Sequence, residues 1–149
     1  MLRRPRRNRQ SQTIRNLTSE TYLTVGHLVY PLFIVEGKDI KKEVTSLPGN
    51  FRMSIDHLLE EIEECLDLGL KSFILFPAID EMYKDKTGSY GYDPENFYLK
   101  AARIIKNKFP NCCLISDVAL DPYNIDGHDG IVKNGKIQND ETIVQLCKI

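Results

Sequence analysis

Three short apolar runs, separated by two amphipathic stretches, restrict this chain to very few folds. The runs lie near residues 28–36, 72–78 and 112–119. Each is too short for a core helix and is bounded by Gly, Pro or polar residues, so each reads as a buried strand. Between the first two, Ile55, Leu58, Leu59, Ile62, Cys65 and Leu66 recur at helical spacing. Ser54 stands at the start of that stretch as an N-cap and Gly69 at its end. Between the second and third, Phe97, Tyr98, Ala101, Ala102, Ile105 and Phe109 do the same. Asp93-Pro94-Glu95 predicts that this helix begins near residue 94, with Asp as N-cap and Pro in the first turn. Strands separated by helices imply a parallel sheet with right-handed crossovers. Either an open doubly wound sheet or part of a barrel satisfies that pattern. No Gly-x-Gly-x-x-Gly follows a strand, so a nucleotide-binding sheet has no support.

The flanks are different in kind. Arg3, Arg4, Arg6, Arg7, Arg9 and Arg15 precede the first acid, Glu20, although the net charge of the whole chain is −1. Residues 1–20 carry little hydrophobic periodicity and read as an arm that packs poorly on its own chain. Such an arm can meet nucleic acid or anionic lipid, be the remnant of a targeting peptide, or dock on a partner subunit. No aromatic residue interleaves with the arginines. No apolar run approaches the ~20 residues a membrane-spanning helix needs. At the other flank, Asn134-Gly135 between residues 131–133 and 136–138 predicts a two-residue hairpin. Asp140 then reads as the cap of a further helix, and the pattern stops inside it, which favours part of something larger. Cys65, Cys112, Cys113 and Cys147 form no Cys-x-x-Cys pair and point to a reducing compartment.

Chemistry concentrates in residues 117–130, which hold Asp117, Asp121, Asp126, Asp129, His128 and two glycines. If the third strand runs on to Pro122, Asp117, Ala119 and Asp121 share one face. Gly127 and Gly130 then permit a tight turn that swings Asp126, His128 and Asp129 back towards the strand end. Acids at the carboxyl end of a parallel strand can bind a cation, hold an amine or move protons. Ordinary turn chemistry accounts for the same residue types. The connection from Ala78 to Tyr92, roughly fifteen residues, is longer than most and reads either as a lid or as a mobile surface loop.

An ordered set of short segments resembles a known family. Arg4-Pro5-Arg6-Arg7-Asn8-Arg9, Tyr30-Pro31-Leu32-Phe33, Leu47-Pro48-Gly49-Asn50-Phe51-Arg52, Leu75-Phe76-Pro77, Asp117-Val118-Ala119-Leu120-Asp121-Pro122-Tyr123, Gly127-His128-Asp129-Gly130 and Asn139-Asp140 together look like the porphobilinogen synthase (delta-aminolevulinic acid dehydratase) family. The resemblance covers essentially the whole chain. It implies an α/β fold, the first three βα units of a (β/α)8 TIM barrel preceded by an extended N-terminal arm. Residues 1–27 would be the arm and residues 28–149 the truncated barrel portion. The implied reaction condenses two molecules of 5-aminolevulinate to porphobilinogen. The implied assembly is a homo-oligomer held by the arm, an octamer, in cytoplasm or plastid stroma, with no role for nucleic acid or membrane.

The resemblance also assigns roles. Zinc-using members carry cysteines at the positions of Ala119, Asp121 and Asp129, so this sequence is similar to the aspartate-rich, zinc-independent branch. Carboxylates suit magnesium, whereas zinc prefers thiolate and imidazole. Asp117, Asp121 and Asp129 become the catalytic candidates, Asp121 and Asp129 the candidate magnesium ligands. Arg9 matches an arginine associated with an allosteric magnesium site. The two Schiff-base lysines of the family belong to the second half of a barrel of ~250 residues. Lys71 sits at the wrong end of its strand, and Lys84 and Lys86 lie in a charged loop where nothing desolvates an amine. The residues themselves leave two other readings open: a non-catalytic assembly module with a basic arm, and a small magnesium-dependent enzyme built on the three aspartates.

Overall fold

The computed structural model describes residues 6–149. Arg3 and Arg4 of the basic arm lie outside the described residues. Strand β1 (Tyr30–Val35) sits at the centre of a five-stranded sheet in the order β2-β3-β1-β4-β5, with β2 at Lys41–Glu43, β3 at Phe51–Met53, β4 at Ser72–Ala78 and β5 at Cys113–Ser116. β1 pairs in parallel with both β3 and β4, and β4 in parallel with β5. The parallel pairing expected of the three apolar runs is therefore present. The antiparallel β2–β3 pair is an addition, because its Lys-Lys-Glu strand is exposed and carries no apolar alternation.

Helices α2 (Ile55–Asp67) and α3 (Phe97–Lys108) cover one face of this sheet. Leu32 and Ile34 of β1 and Phe73 and Leu75 of β4 are at most 1% exposed, packed with Leu58, Ile62, Tyr98, Ala101 and Ile105. Strand residues alternate, so Phe33, Ile74 and Phe76 face the other way. They are only half-buried, and Phe33 stacks on Phe76 with ring centroids 5.7 Å apart. A sheet with apolar side chains on both faces is built to be covered on both.

The ends of α2 follow local rules. Gly69, at φ +90°, lets Leu70 N–H reach the Cys65 carbonyl and its own N–H reach that of Leu66, which closes the last turn. Ser54 does not cap the helix with its side chain. Its hydroxyl accepts from Ile40 N–H and donates to Asp56 at 2.5 Å. The start expected for α3 near residue 94 is also corrected. The Asp93 carboxylate accepts from Glu95 N–H and its carbonyl from Asn96 N–H, which closes a turn. Asn96, fully buried, is the true cap and accepts from Tyr98 N–H at 2.9 Å.

The hairpin joins β6 (Val132–Lys133) to β7 (Lys136–Ile137), and Asn134 and Gly135 both take positive φ, as its two-residue turn demands. Helix α4 (Asn139–Leu146) begins one residue before Asp140, which lies in its first turn instead of capping it. In the arm, Ser11 caps a short helix, α1 (Gln12–Leu17), so this segment is not extended throughout. None of the arm's helical turns contains a buried residue. Leu17, Tyr22 and Leu23 stand 78%, 61% and 79% exposed.

Candidate active site

Strand β5 ends at Ser116, so Asp117, Ala119 and Asp121 do not share a strand face as expected. The pairing stops because Asp117 N–H turns to the Tyr98 hydroxyl at 3.4 Å, and that hydroxyl donates to the Leu75 carbonyl at 3.0 Å. Asp117 is thereby held, half-buried, just beyond the carboxyl end of β5. Ala119 and Leu120 turn inward, at 6% and 0% exposure, and Asp121 turns outward. The ladder is over well before Pro122.

The swing back of Asp129 is present in another form. Its carboxylate accepts from Leu120 N–H at 2.6 Å, across nine residues. Buried Asn124 holds the intervening turn, donating to the His128 and Gly130 carbonyls and accepting from Asp126 N–H. Partial loss of solvent, then the negative charges of Asp129 and Asp117, push the Asp121 carboxyl above its ordinary range. Asp121 as a whole stays exposed, so the two neighbouring carboxylates are the more telling cause. His128 and Asp126 do not swing back with Asp129 as expected: both are exposed, because the turn is held by Asn124 through their backbone groups.

The 78–92 connection is neither a lid nor a loose loop. Asp85 N–H donates to the Tyr123 carbonyl at 3.1 Å and Ile125 N–H to the Asp85 carbonyl at 3.0 Å, so the loop pairs with the acidic stretch like a short strand. Gly88, buried at φ +64°, lies where a Cβ would meet Leu120 at 2.6 Å. Tyr90 stacks on Tyr83 at 4.5 Å and meets the edge of buried Tyr123 at 6.3 Å. Burial draws the Asp85 carboxyl upward, but hydrogen bonds from Ser89 and Thr87 outweigh it and bring it down to about 2. Sequence reasoning missed this weld, because the loop tyrosine Tyr90 meets Tyr123, which comes from a separate segment of the chain.

The same weld corrects the reading of Lys84. Its side chain is only 19% exposed, not free in a charged loop, and it pairs with Glu81 at 2.5 Å. Its charge also opposes the upward shift at Asp121. An amine locked in an ion pair is still a poor nucleophile. Lys71 and Lys86 are exposed.

The sequence model of the delta-aminolevulinic acid dehydratase family matches residues 2–149. The chain belongs to this family. Among curated members, the delta-aminolevulinic acid dehydratase of Chlamydia pneumoniae is 50% identical over 141 residues, which is 95% of this chain and 42% of that protein. The chloroplastic enzyme of Hordeum vulgare is 45% identical over 150 residues, 99% of this chain and 35% of that one. A crystal structure of the Toxoplasma gondii delta-aminolevulinic acid dehydratase (porphobilinogen synthase), with its product porphobilinogen bound, superposes with a TM-score of 0.94 at 40% identity. That match covers 99% of this chain and 42% of the other. The chain thus spans about two fifths, or less, of the length of these family members.

A second acidic group in this chain escaped sequence reasoning. Asp39, Asp56 and His57 bring ligand-type atoms within 4.8 Å of one another. Asp39 N–H donates to Asp56 at 2.8 Å, and His57 Nε2 lies 3.0 Å from the Asp39 carboxylate. The Asp39 hydrogen bond raises the His57 pKa, and the Ser54 hydroxyl lowers that of Asp56. With these atoms engaged in hydrogen bonds, the group is accounted for as the tie between the β1–β2 loop and the start of α2. No helix of the described residues is long and apolar enough to cross a membrane.

Proposed function

We propose that this chain is the N-terminal portion of a porphobilinogen synthase, which condenses two molecules of 5-aminolevulinate to porphobilinogen with loss of water, a step of tetrapyrrole synthesis. The observation that carries this reading is the acidic stretch fixed at the carboxyl end of β5, on a chain whose 99% superposes on a porphobilinogen-bound family member. The uncovered apolar face around Phe33, Ile74 and Phe76 supports the finer fold reading, in which the sheet is the first part of a (β/α)8 barrel.

In the reaction, Asp117, Asp121 and Asp129 are the candidate acid–base and amine-holding groups. Partial burial and then the charges of Asp129 and Asp117 raise the Asp121 carboxyl, so in the metal-free site Asp121 is the member best placed to carry a proton nearer neutrality. Asp129 spends one oxygen on Leu120 N–H and orders the turn, leaving the other for a ligand. Asp121 and Asp129 are the hard oxygen donors that magnesium takes, and the ion would supply charge neutralisation beside them; the one group of three ligand-type side chains within 4.8 Å of one another among the described residues is Asp39, Asp56 and His57. No thiolate stands at Ala119, Asp121 or Asp129 to fit zinc. Carboxylates do not form Schiff bases, so that chemistry falls to lysines outside this chain.

The arm is the subunit clasp of a homo-oligomer, taken as an octamer. Its exposed Leu17, Tyr22 and Leu23 support that role. Arg9 is exposed and makes no ion pair among the described residues, in keeping with an allosteric magnesium site to which it contributes charge indirectly. The compartment is cytoplasm or, as in the chloroplastic barley relative, plastid stroma.

The test is co-expression of this chain with the part of the Chlamydia pneumoniae relative that follows its aligned region. The assembled pair is expected to form porphobilinogen, and Asp117→Ala in this chain is expected to abolish it. A stable assembled pair without turnover would overturn the proposal.

A further inference from the structure

A cavity of about 430 Å³ opens at the carboxyl ends of β1 and β4, apart from the residues that carry the acidic cluster. Its volume falls in the range of small-ligand sites, and sites of α/β folds form at this end of the strands. Val35, Ala78, Ile79 and Met82 contribute apolar wall. Lys42 and Arg52 contribute charge. They are directly opposed in the β2–β3 ladder, so both side chains leave the sheet on the same side. Like charges in that register repel each other.

The acids that share the cavity are already engaged. The Asp80 carboxylate accepts from Met82 N–H at 3.0 Å, capping the turn that follows β4. Glu36 lies against the Tyr83 hydroxyl, whose pKa its charge raises. The cations have no such employment. Among the described residues neither Lys42 nor Arg52 makes an ion pair, whereas neighbouring Lys41, on the opposite side of β2, is paired with Glu61 at 3.4 Å and lies over the Phe51 ring. An opposed pair of unengaged cations on a concave, partly apolar wall is the arrangement that a carboxylate completes. Arginine offers a planar fork for the two oxygens and lysine a point charge beside it.

We infer that the Lys42–Arg52 pair is a binding site for the carboxylate of a small aliphatic acid, whose carbon chain lies on Val35, Ala78 and Met82. The inference rests on the porphobilinogen synthase reading only for the choice of 5-aminolevulinate as ligand; the site itself is built from this chain's own residues.

The experiment is a chemical-shift titration of the 149-residue chain with three probes. These are 5-aminolevulinate, levulinate, which keeps the carboxylate and lacks the amine, and 1-amino-2-butanone hydrochloride at matched ionic strength, which keeps the aminoketone and lacks the carboxylate. The two acids are expected to give saturable shifts at Lys42, Arg52 and Ala78, and the aminoketone none. Arg52→Gln and Lys42→Gln, each checked for an unchanged fold by spectral dispersion, should weaken levulinate binding roughly tenfold or more, the value of a charge-assisted hydrogen bond. Arg52→Lys should recover part of the loss. Shifts that do not saturate, that the aminoketone reproduces, or that survive both substitutions overturn the inference. None of those results bears on whether the assembled enzyme makes porphobilinogen, so the two readings fail separately.

Discussion

Residues 78–130 and the described part of the arm, residues 6–27, handle their side chains in opposite ways. In the first region polar and aromatic groups are driven inward and matched. Asn96, Asn124 and Tyr123 are at most 2% exposed, and no buried side-chain nitrogen or oxygen among the described residues lacks a partner. In the arm every residue is exposed except Ile14 and Ser19, which are half-exposed, and its large apolar side chains face solvent. A segment that satisfies itself holds its carboxylates in fixed positions. A segment that leaves apolar surface bare has geometry to be completed by another molecule. Under the proposed function, the contrast separates the part of this chain assigned to chemistry from the part assigned to assembly.

The sharpest way to break the contrast is to wedge the weld apart. Gly88→Val places a branched side chain at positive φ against Leu120. A cost of about 3 kcal/mol is expected from the clash and the strain together, read as a lower denaturant midpoint. A midpoint equal to the parent's would show that the loop is loose after all. Next in size is Asn124→Ala, which leaves the His128 and Gly130 carbonyls and Asp126 N–H without their side-chain partner. It should cost about 2 kcal/mol and increase hydrogen exchange across 124–130.

A smaller effect belongs to Asp85. Its carboxyl, ordinarily near 3.8, is held at about 2 in the folded chain. A depressed carboxylate stabilises the fold above its unfolded pKa, and that contribution is lost as pH falls from about 3.8 through about 2. Asp85→Asn should therefore flatten the acid limb of stability against pH in that window. An unchanged acid limb would mean that the Ser89 and Thr87 hydrogen bonds do not hold the carboxylate. The smallest effect is expected in the arm. Leu23→Ala should change the stability of the isolated chain by less than about 0.5 kcal/mol, as at other exposed positions. It should nevertheless weaken self-association in sedimentation experiments. Destabilisation without loss of association would reverse the roles given to the two regions.

Much of the sheet and both large helices were legible because their signals are local. β1, β4 and α2 are bounded by their own apolar periodicity, and Asn134-Gly135 announces its turn. The features that escaped depend on partners distant in sequence. Lys41–Glu43 becomes a strand only because Phe51–Met53 returns beside it. Asp93-Pro94 has the composition of a helix start, but buried Asn96 ties itself to the Tyr90 carbonyl and takes the cap. Asp117 leaves the ladder for the hydroxyl of Tyr98, nineteen residues back. The acids of the site were visible as residue types; their arrangement was set by Tyr98, Asn124 and the Asp85 pairing, none of which a pattern of charges reveals.

The central claim is that this chain supplies the carboxylates of a porphobilinogen synthase and not its Schiff-base amines. The most direct measurement incubates the 149-residue chain alone with 5-aminolevulinate, reduces with borohydride, and reads both porphobilinogen and intact mass. The account predicts no porphobilinogen and no covalent adduct, because Lys84 is tied to Glu81 and no lysine stands at the carboxyl end of a buried strand. Turnover by the chain alone, or a reduced adduct on one of its lysines, would contradict it.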